Sequence, residues 1–176
     1  FLGNDIHETI VEHSFYVALF GLIISQLHKE IDTWKLLSMC IIHDLAEVRC
    51  GDYNQANQLY GSANEIKAFE DMRTWSEVGN GLINLFTELQ EWKSLEAMIF
   101  KDCDLLAQML AEKEFINRWH KEAEEWIERT KIRIKSGIWK KLSDYIINGR
   151  MSARWEEIKN NIRTSKWFPA KDYNLD

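Results

Sequence analysis

At 176 residues, with 45% apolar and 12% aromatic side chains, the chain can bury one substantial core, and a single compact domain is expected. Its net charge of -6 comes from acids and bases interleaved along the chain. That pattern excludes general binding to nucleic acid or to anionic membrane, which needs a concentrated basic face.

One proline and eight glycines leave few chain breakers, so the expected fold is all-α. Ile10, Val11, Val17, Leu19, Phe20, Ile23, Ile24 and Leu27 recur at helical spacing and predict a first helix from about Thr9 to Lys29. Thr9 is its N-cap, with Glu12 three residues on as in a capping box. The longest apolar stretch, Val17 to Leu27, carries Ser25 and Gln26 and falls short of the roughly 18 residues that cross a bilayer. A second helix, from about Asp32 to Val48, is apolar nearly all round and is expected to be buried.

Gly51 ends that helix, and the polar residues after it predict a loop over the helix end, a place that often carries function. A third helix is expected from about Asn64 to Val78, a short helical piece around Ile83, Leu85 and Phe86, and a fourth helix from about Ser94 to Arg118. From Trp119 to about Arg163, helically spaced apolar residues among many Glu and Lys predict one or two amphipathic helices. Their tryptophans, Trp119, Trp126, Trp139 and Trp155, are read as packing residues. The whole is an irregular bundle of five to seven helices. One domain spans 1–176, with its motif-bearing part at about 8–115 and Trp-rich helices at about 119–163 packed on it.

Cys40, Cys50 and Cys103 are odd in number and widely spaced, so they are read as reduced thiols of a cytoplasmic protein. The opening Phe1-Leu2-Gly3-Asn4 matches neither a signal peptide nor a usual start, and the chain is expected to lack part of its natural N-terminus.

The chemistry concentrates in Ile41-Ile42-His43-Asp44-Leu45-Ala46-Glu47, where three ionisable groups interrupt the most apolar predicted helix. Burying a charge there costs several kcal/mol, on the order of the penalty for any unpaired buried ion, unless it is paired or bound to metal. On a helix, Glu47 lies four residues after His43 and three after Asp44, so all three converge on one side. A divalent ion satisfies an imidazole nitrogen and a carboxylate together. An isolated His-Asp pair more often has an ordinary hydrogen-bonding role. His13, within Val11-Glu12-His13-Ser14-Phe15, is by itself more readily a core or capping histidine. Phe100-Lys101-Asp102-Cys103-Asp104-Leu105-Leu106 places two aspartates in an apolar helix. At about 100° per residue, periodicity selects Asp102 as the inward carboxylate, on the face of Leu95, Ile99, Leu106 and Met109.

The ordered set is Glu-His-Ser, then Ile-His-Asp-Leu-Ala-Glu followed by Gly-Asp, then Lys-x-x-Asp-x-Leu. It resembles the HD-domain superfamily of metal-dependent phosphohydrolases, and within it the 5'-deoxynucleotidase-like branch, over about residues 8 to 115. The resemblance implies His13, His43, Asp44 and Asp104 as ligands of a divalent metal, of which Mn, Co, Fe, Ni and Zn suit mixed His and Asp donors. It places Glu47 and Asp52 at the acidic positions that serve catalysis, and makes Asp102 at most an outer neighbour of the metal. Glu8, Thr9 and Ser14 match the flank of the first histidine, and Glu114-Phe115 an acidic-aromatic pair. Lys101 and Arg49 are the nearest sequence candidates for substrate phosphate contacts.

The implied substrate is a small-molecule nucleotide, a deoxyribonucleoside 5'-monophosphate, and the implied assembly a homodimer. Two departures stand beside this. The sequence starts downstream of the Arg-Trp element that precedes the first helix in that branch, and the loop after Asp52 lacks a proline-containing segment. A nucleoside triphosphate, a guanosine polyphosphate or a cyclic nucleotide remains open as substrate. From other classes, so do a non-catalytic HD fold used for ligand binding or as a scaffold, and a metal-free bundle with a partner interface.

Overall fold

The computed structural model describes residues 8–53, 56–72, 77–117, 123–135 and 137–148. Trp119, Trp155, the residues Phe1 to Asn4 and the chain beyond Asn148 lie outside the described residues. Among those described, eight α-helices follow in order and no strand is formed: α1 (Ile10–Leu27), α2 (Thr33–Ile42), α3 (Glu47–Cys50), α4 (Glu65–Met72), α5 (Glu77–Glu91), α6 (Leu95–Asn117), α7 (Ala123–Arg133) and α8 (Gly137–Asn148). The all-α expectation holds.

The starts of the helices are written in the sequence. Thr9 is extended, and its hydroxyl accepts from the Glu12 amide while the Glu12 carboxylate accepts from the Thr9 amide. Such a reciprocal cap is worth about 1 kcal/mol. Asp32 accepts from the Lys35 amide at the start of α2, and Asn64 from Lys67 at α4. Ser94 does the same for Ala97 at α6.

The long helix α6 is the centre of the bundle, packed against α1, α2, α5, α7 and α8. Val17 and Ile24 of α1, Leu36 and Met39 of α2, and Cys103, Leu106 and Met109 of α6 are buried together. A stacked Phe69–Phe86 pair, 4.7 Å between centroids, joins α4 to α5. Trp139 of α8 is buried edge-on against Phe20 at 6.4 Å, as its packing assignment requires. The thiols of Cys40, Cys50 and Cys103 are free.

Three expectations need correction. The helix from Asp32 does not run to Val48; it stops at Ile42, and residues 43–46 form a tight turn before the single turn of α3. It is not buried all round either: Trp34, Ile41 and Val48 are 80%, 60% and 66% exposed. An all-apolar helix at the edge of a small bundle has only one face to bury. The expected short piece around Ile83 to Phe86 is in fact the full helix α5. A further difference concerns α1, which is taken as a whole long and apolar enough by length and composition to cross a bilayer. Here one side of it packs on α2 and α6, with Val17, Phe20 and Ile24 buried.

Candidate metal centre

Three segments meet at one end of the bundle: the first turn of α1 with His13, the turn after α2 with His43 and Asp44, and the middle of α6 with Asp104. The early end of α2 is what shapes this corner. In the turn, Leu45 donates to the Ile42 carbonyl and Glu47 to that of Asp44, both at 3.0 Å. This three-residue spacing winds the backbone like a 3₁₀ helix, in which positions three apart eclipse. Asp44 and Glu47 therefore align more directly than on the continuous α-helix expected from sequence.

His43 is 9% exposed, and its Nδ1 donates to the Cys40 carbonyl at 2.8 Å. That bond places the ring proton on Nδ1 and leaves a lone pair on Nε2. Nε2 is buried and has no hydrogen-bond partner, although Asp44 Oδ2 stands 3.0 Å away. The distance is short, but both atoms present lone pairs. Two such atoms repel unless a proton or a metal ion lies between them, and a metal ion can bind both at once. His13 Nε2 stands 3.1 Å from Asp104 Oδ1 and 3.9 Å from Asp44 Oδ2. One donor atom each from His13, His43 and Asp104 lies within 4.8 Å of the others. Ions bound at about 2.0–2.2 Å hold neighbouring donors roughly 3 Å apart, so this set fits a divalent ion.

The electrostatics agree. Burial works against an imidazolium at His13, but hydrogen bonds to Asp104 and Glu8 and the charges of Asp104 and Asp44 outweigh it and raise the group to about 10. Burial likewise opposes the Asp104 carboxylate. His13 and Lys101 prevail and hold it well below the usual range, which is the same ion pair seen from its other side. At Glu47, burial and the negative charges of Asp44, Asp52 and Glu65 push the carboxyl up to about 8. Positive charge is what this corner lacks.

A cavity of about 920 Å³ opens from the cluster, and Glu8, His13, Asp44, Glu47, Asp52 and Lys101 are among its lining residues. Lys101 Nζ bonds Asp104 Oδ2 at 2.6 Å and sits 5.7 Å over the Trp92 ring. Arg49 is brought elsewhere: it is exposed, it does not line the cavity, and its charge acts on Asp71 of α4. Periodicity placed Asp102 inward, and it is buried, but it faces the C-terminal helices, where Oδ1 accepts from the Lys135 amide at 3.2 Å. A helix surrounded on several sides has more than one inner face. Sequence reasoning missed the far wall of the cavity, made by Gln108, Glu112 and Phe115 of α6 and by Trp126, Thr130 and Arg133 of α7. The signal was present in α6, because Gln108 and Glu112 follow Asp104 at intervals of four on one helix face.

An all-helical bundle that gathers two histidines and two aspartates beside a cavity is an arrangement suited to metal-dependent hydrolysis. The HD domain family model matches residues 2–145, and the chain belongs to that family. The phosphohydrolase class read from His13, His43-Asp44 and Asp104 is thereby borne out. The chain is 27% identical over 129 residues to 5'-deoxynucleotidase HDDC2 of Dictyostelium discoideum, covering 67% of this chain and 68% of that protein. Among solved structures it is similar to a Pyrococcus horikoshii protein at 28% identity and a TM-score of 0.63, over 82% of this chain and 86% of that one. A conserved hypothetical protein from Pyrococcus furiosus matches at 25% identity and a TM-score of 0.63, over 93% and 87%.

Proposed function

We propose that this chain removes the 5'-phosphate from deoxyribonucleoside monophosphates, with His13, His43, Asp44 and Asp104 holding one divalent ion. The observation that carries the reading is the buried His43 Nε2 lone pair, 3.0 Å from Asp44, which itself lines the cavity. The similarity to a relative named as a 5'-deoxynucleotidase supports the substrate class. The donor set suits Mn, Co, Fe, Ni or Zn. A bound ion supplies Lewis acidity toward a phosphoryl oxygen and makes water acidic enough to attack at neutral pH.

The chain's own residues supply the rest. Lys101, anchored on Asp104, is a cation at the cavity wall beside the phosphate position. Glu47, in the cavity wall beside Asp44, is placed to pass a proton to the leaving alkoxide. Asp52, in the same wall, orients the attacking water. The P–O5' bond breaks as the water oxygen bonds phosphorus, and the products are nucleoside and inorganic phosphate. The enzyme is read as cytoplasmic, with reduced cysteines.

Phosphate release from a panel of deoxynucleoside and ribonucleoside monophosphates, each as the 5'- and the 3'-phosphate, tests this reading. Metal-dependent turnover of the 5'-deoxynucleotides at ten times or more the rate of the others is expected. Equal rates on all members would replace it with a general phosphomonoesterase.

A homodimer accompanies this reading. Val11, Phe15, Leu19 and Leu22 lie on one face of α1 and are exposed, which supports a self-association surface. Light scattering of the full chain is expected to give twice the 20.8 kDa chain mass, and Phe15→Glu to shift it to the monomer.

A further inference from the structure

Trp92 sits where the backbone departs from what its side chain favours. Among the described residues it is the sole non-glycine with a positive φ, 55°, a left-handed conformation in which Cβ crowds the following carbonyl. Helix α5 ends one residue earlier, at Glu91, and the Trp92 amide closes its last turn on the Leu89 carbonyl at 3.3 Å. Only Lys93 and Ser94 then precede α6 at Leu95. Glycine is the usual residue at such a helix end, because it meets no penalty there. The tight reversal accounts for the backbone angle but not for a tryptophan.

Nor does the core account for it, since the side chain is 45% exposed. Its ring has a charged neighbour instead. Lys101 Nζ stands 5.7 Å from the ring centroid, within the reach at which an aromatic face attracts a cation. The same ammonium bonds Asp104 Oδ2 at 2.6 Å, and Lys101 lines the cavity whereas Trp92 does not. A lysine is a point charge on a long flexible stem, so its place depends on what holds it. Asp104 divides its charge: Oδ1 stands 3.1 Å from His13 Nε2, and the proposed ion draws on the same carboxylate. The indole is the hold on Lys101 that the metal end does not share. A strained, bulky residue beside a functional group points to such a constraint.

We propose that Trp92 is a positioning residue: its ring, set by the left-handed turn between α5 and α6, holds the Lys101 ammonium at the cavity wall for the substrate phosphate. The proposal rests on the reading of Lys101 as a phosphate contact. Trp92 acts through that lysine.

The test compares Trp92→Leu, Trp92→Phe and Trp92→Gly in the metal-loaded full chain. Steady-state kinetics on deoxynucleoside 5'-monophosphates run beside calorimetric titration of inorganic phosphate. Leucine keeps apolar bulk and the backbone cost but has no π face. It is expected to raise KM about fivefold and to weaken phosphate as much, the factor that one such contact is worth at a partly exposed site, with kcat within about twofold. Phenylalanine is expected to restore most of this loss. Glycine relieves the backbone and is expected to lose as much as leucine, whereas a residue that merely ends α5 would leave KM at the parent value. In a Lys101→Met background, Trp92→Leu is expected to change KM less than about twofold, because the residue it acts through is gone.

Parent KM in Trp92→Gly, a loss in Trp92→Phe as large as in Trp92→Leu, an undiminished effect in the Lys101→Met background, or no binding of inorganic phosphate by the parent chain would overturn the positioning role. If Trp92→Leu weakens inorganic phosphate while the parent hydrolyses no nucleotide, the positioning role stands and the nucleotidase reading falls. If the parent hydrolyses 5'-deoxynucleotides and Trp92→Leu matches it in KM and phosphate affinity, the reading stands and the positioning role falls.

Discussion

Asp104→Ala is expected to lower kcat/KM on deoxynucleoside 5'-monophosphates by more than about 100-fold, beyond the roughly 10–100-fold that partners one shell away from a metal contribute. Asp104 is tied at once to His13 Nε2 and to Lys101 Nζ. Its removal takes away the proposed metal donor, the counter-charge of a mostly buried imidazole and the anchor of Lys101. The neighbouring Asp102→Ala separates site from scaffold. Asp102 holds the Lys135 amide behind α6, so its loss is expected to lower stability by about 1–3 kcal/mol with turnover by the folded fraction retained. Steady-state kinetics beside denaturant unfolding of the two variants checks both. The reverse pattern would make Asp102 the functional carboxylate.

The second large effect is on the pH dependence of metal binding. A metal ligand must present its lone pair, so an ion competes with the proton that Asp104, Glu8 and Asp44 hold on His13. With His13 raised to about 10, each unit of pH below that value reduces the lone-pair form about tenfold. Apparent affinity is therefore expected to rise close to tenfold per pH unit from 6 to 8. About one proton is released per ion bound, measurable by calorimetry in buffers of different ionisation heat. In the chelator-stripped chain the sign for stability is opposite. A histidine pKa raised on folding stabilises fully below its unfolded value of about 6.5, and this contribution fades as pH rises through about 10. Metal affinity independent of pH over that range would mean that His13 is no ligand.

The sequence carried the α1 cap, the α6 limits and the order of the His and Asp motifs because each depends on local chemistry: a Thr9–Glu12 box, a Ser94 start, charges within apolar runs. Local patterns did not carry the break at Ile42, where residues 43–46 rewind to bring Asp44 and Glu47 together. His43 and Asp44 interrupt the apolar run there, but neither is a chain breaker and no glycine or proline lies between them and Gly51, so no stop signal is given. Nor did periodicity separate Asp102 from Asp104. Helix α6 is enclosed by α1, α2, α7 and α8, and a residue's role there depends on which neighbour it meets. The same enclosure explains why Trp139 is a packing residue whereas Trp126 lines the cavity. Their shared tryptophan spacing fits either role. Arg49 illustrates the limit of proximity in sequence: five residues after Asp44, it turns toward α4 instead of the cavity.

The central claim is that His13, His43, Asp44 and Asp104 form one metal site. Titration of manganese or zinc into the chelator-stripped full chain, followed by calorimetry, tests it most directly. One ion per chain, lost in His43→Ala and in Asp44→Ala while both variants keep their helical circular dichroism, is the result predicted. Absence of binding by the parent chain, or equal binding by the two variants, would contradict it.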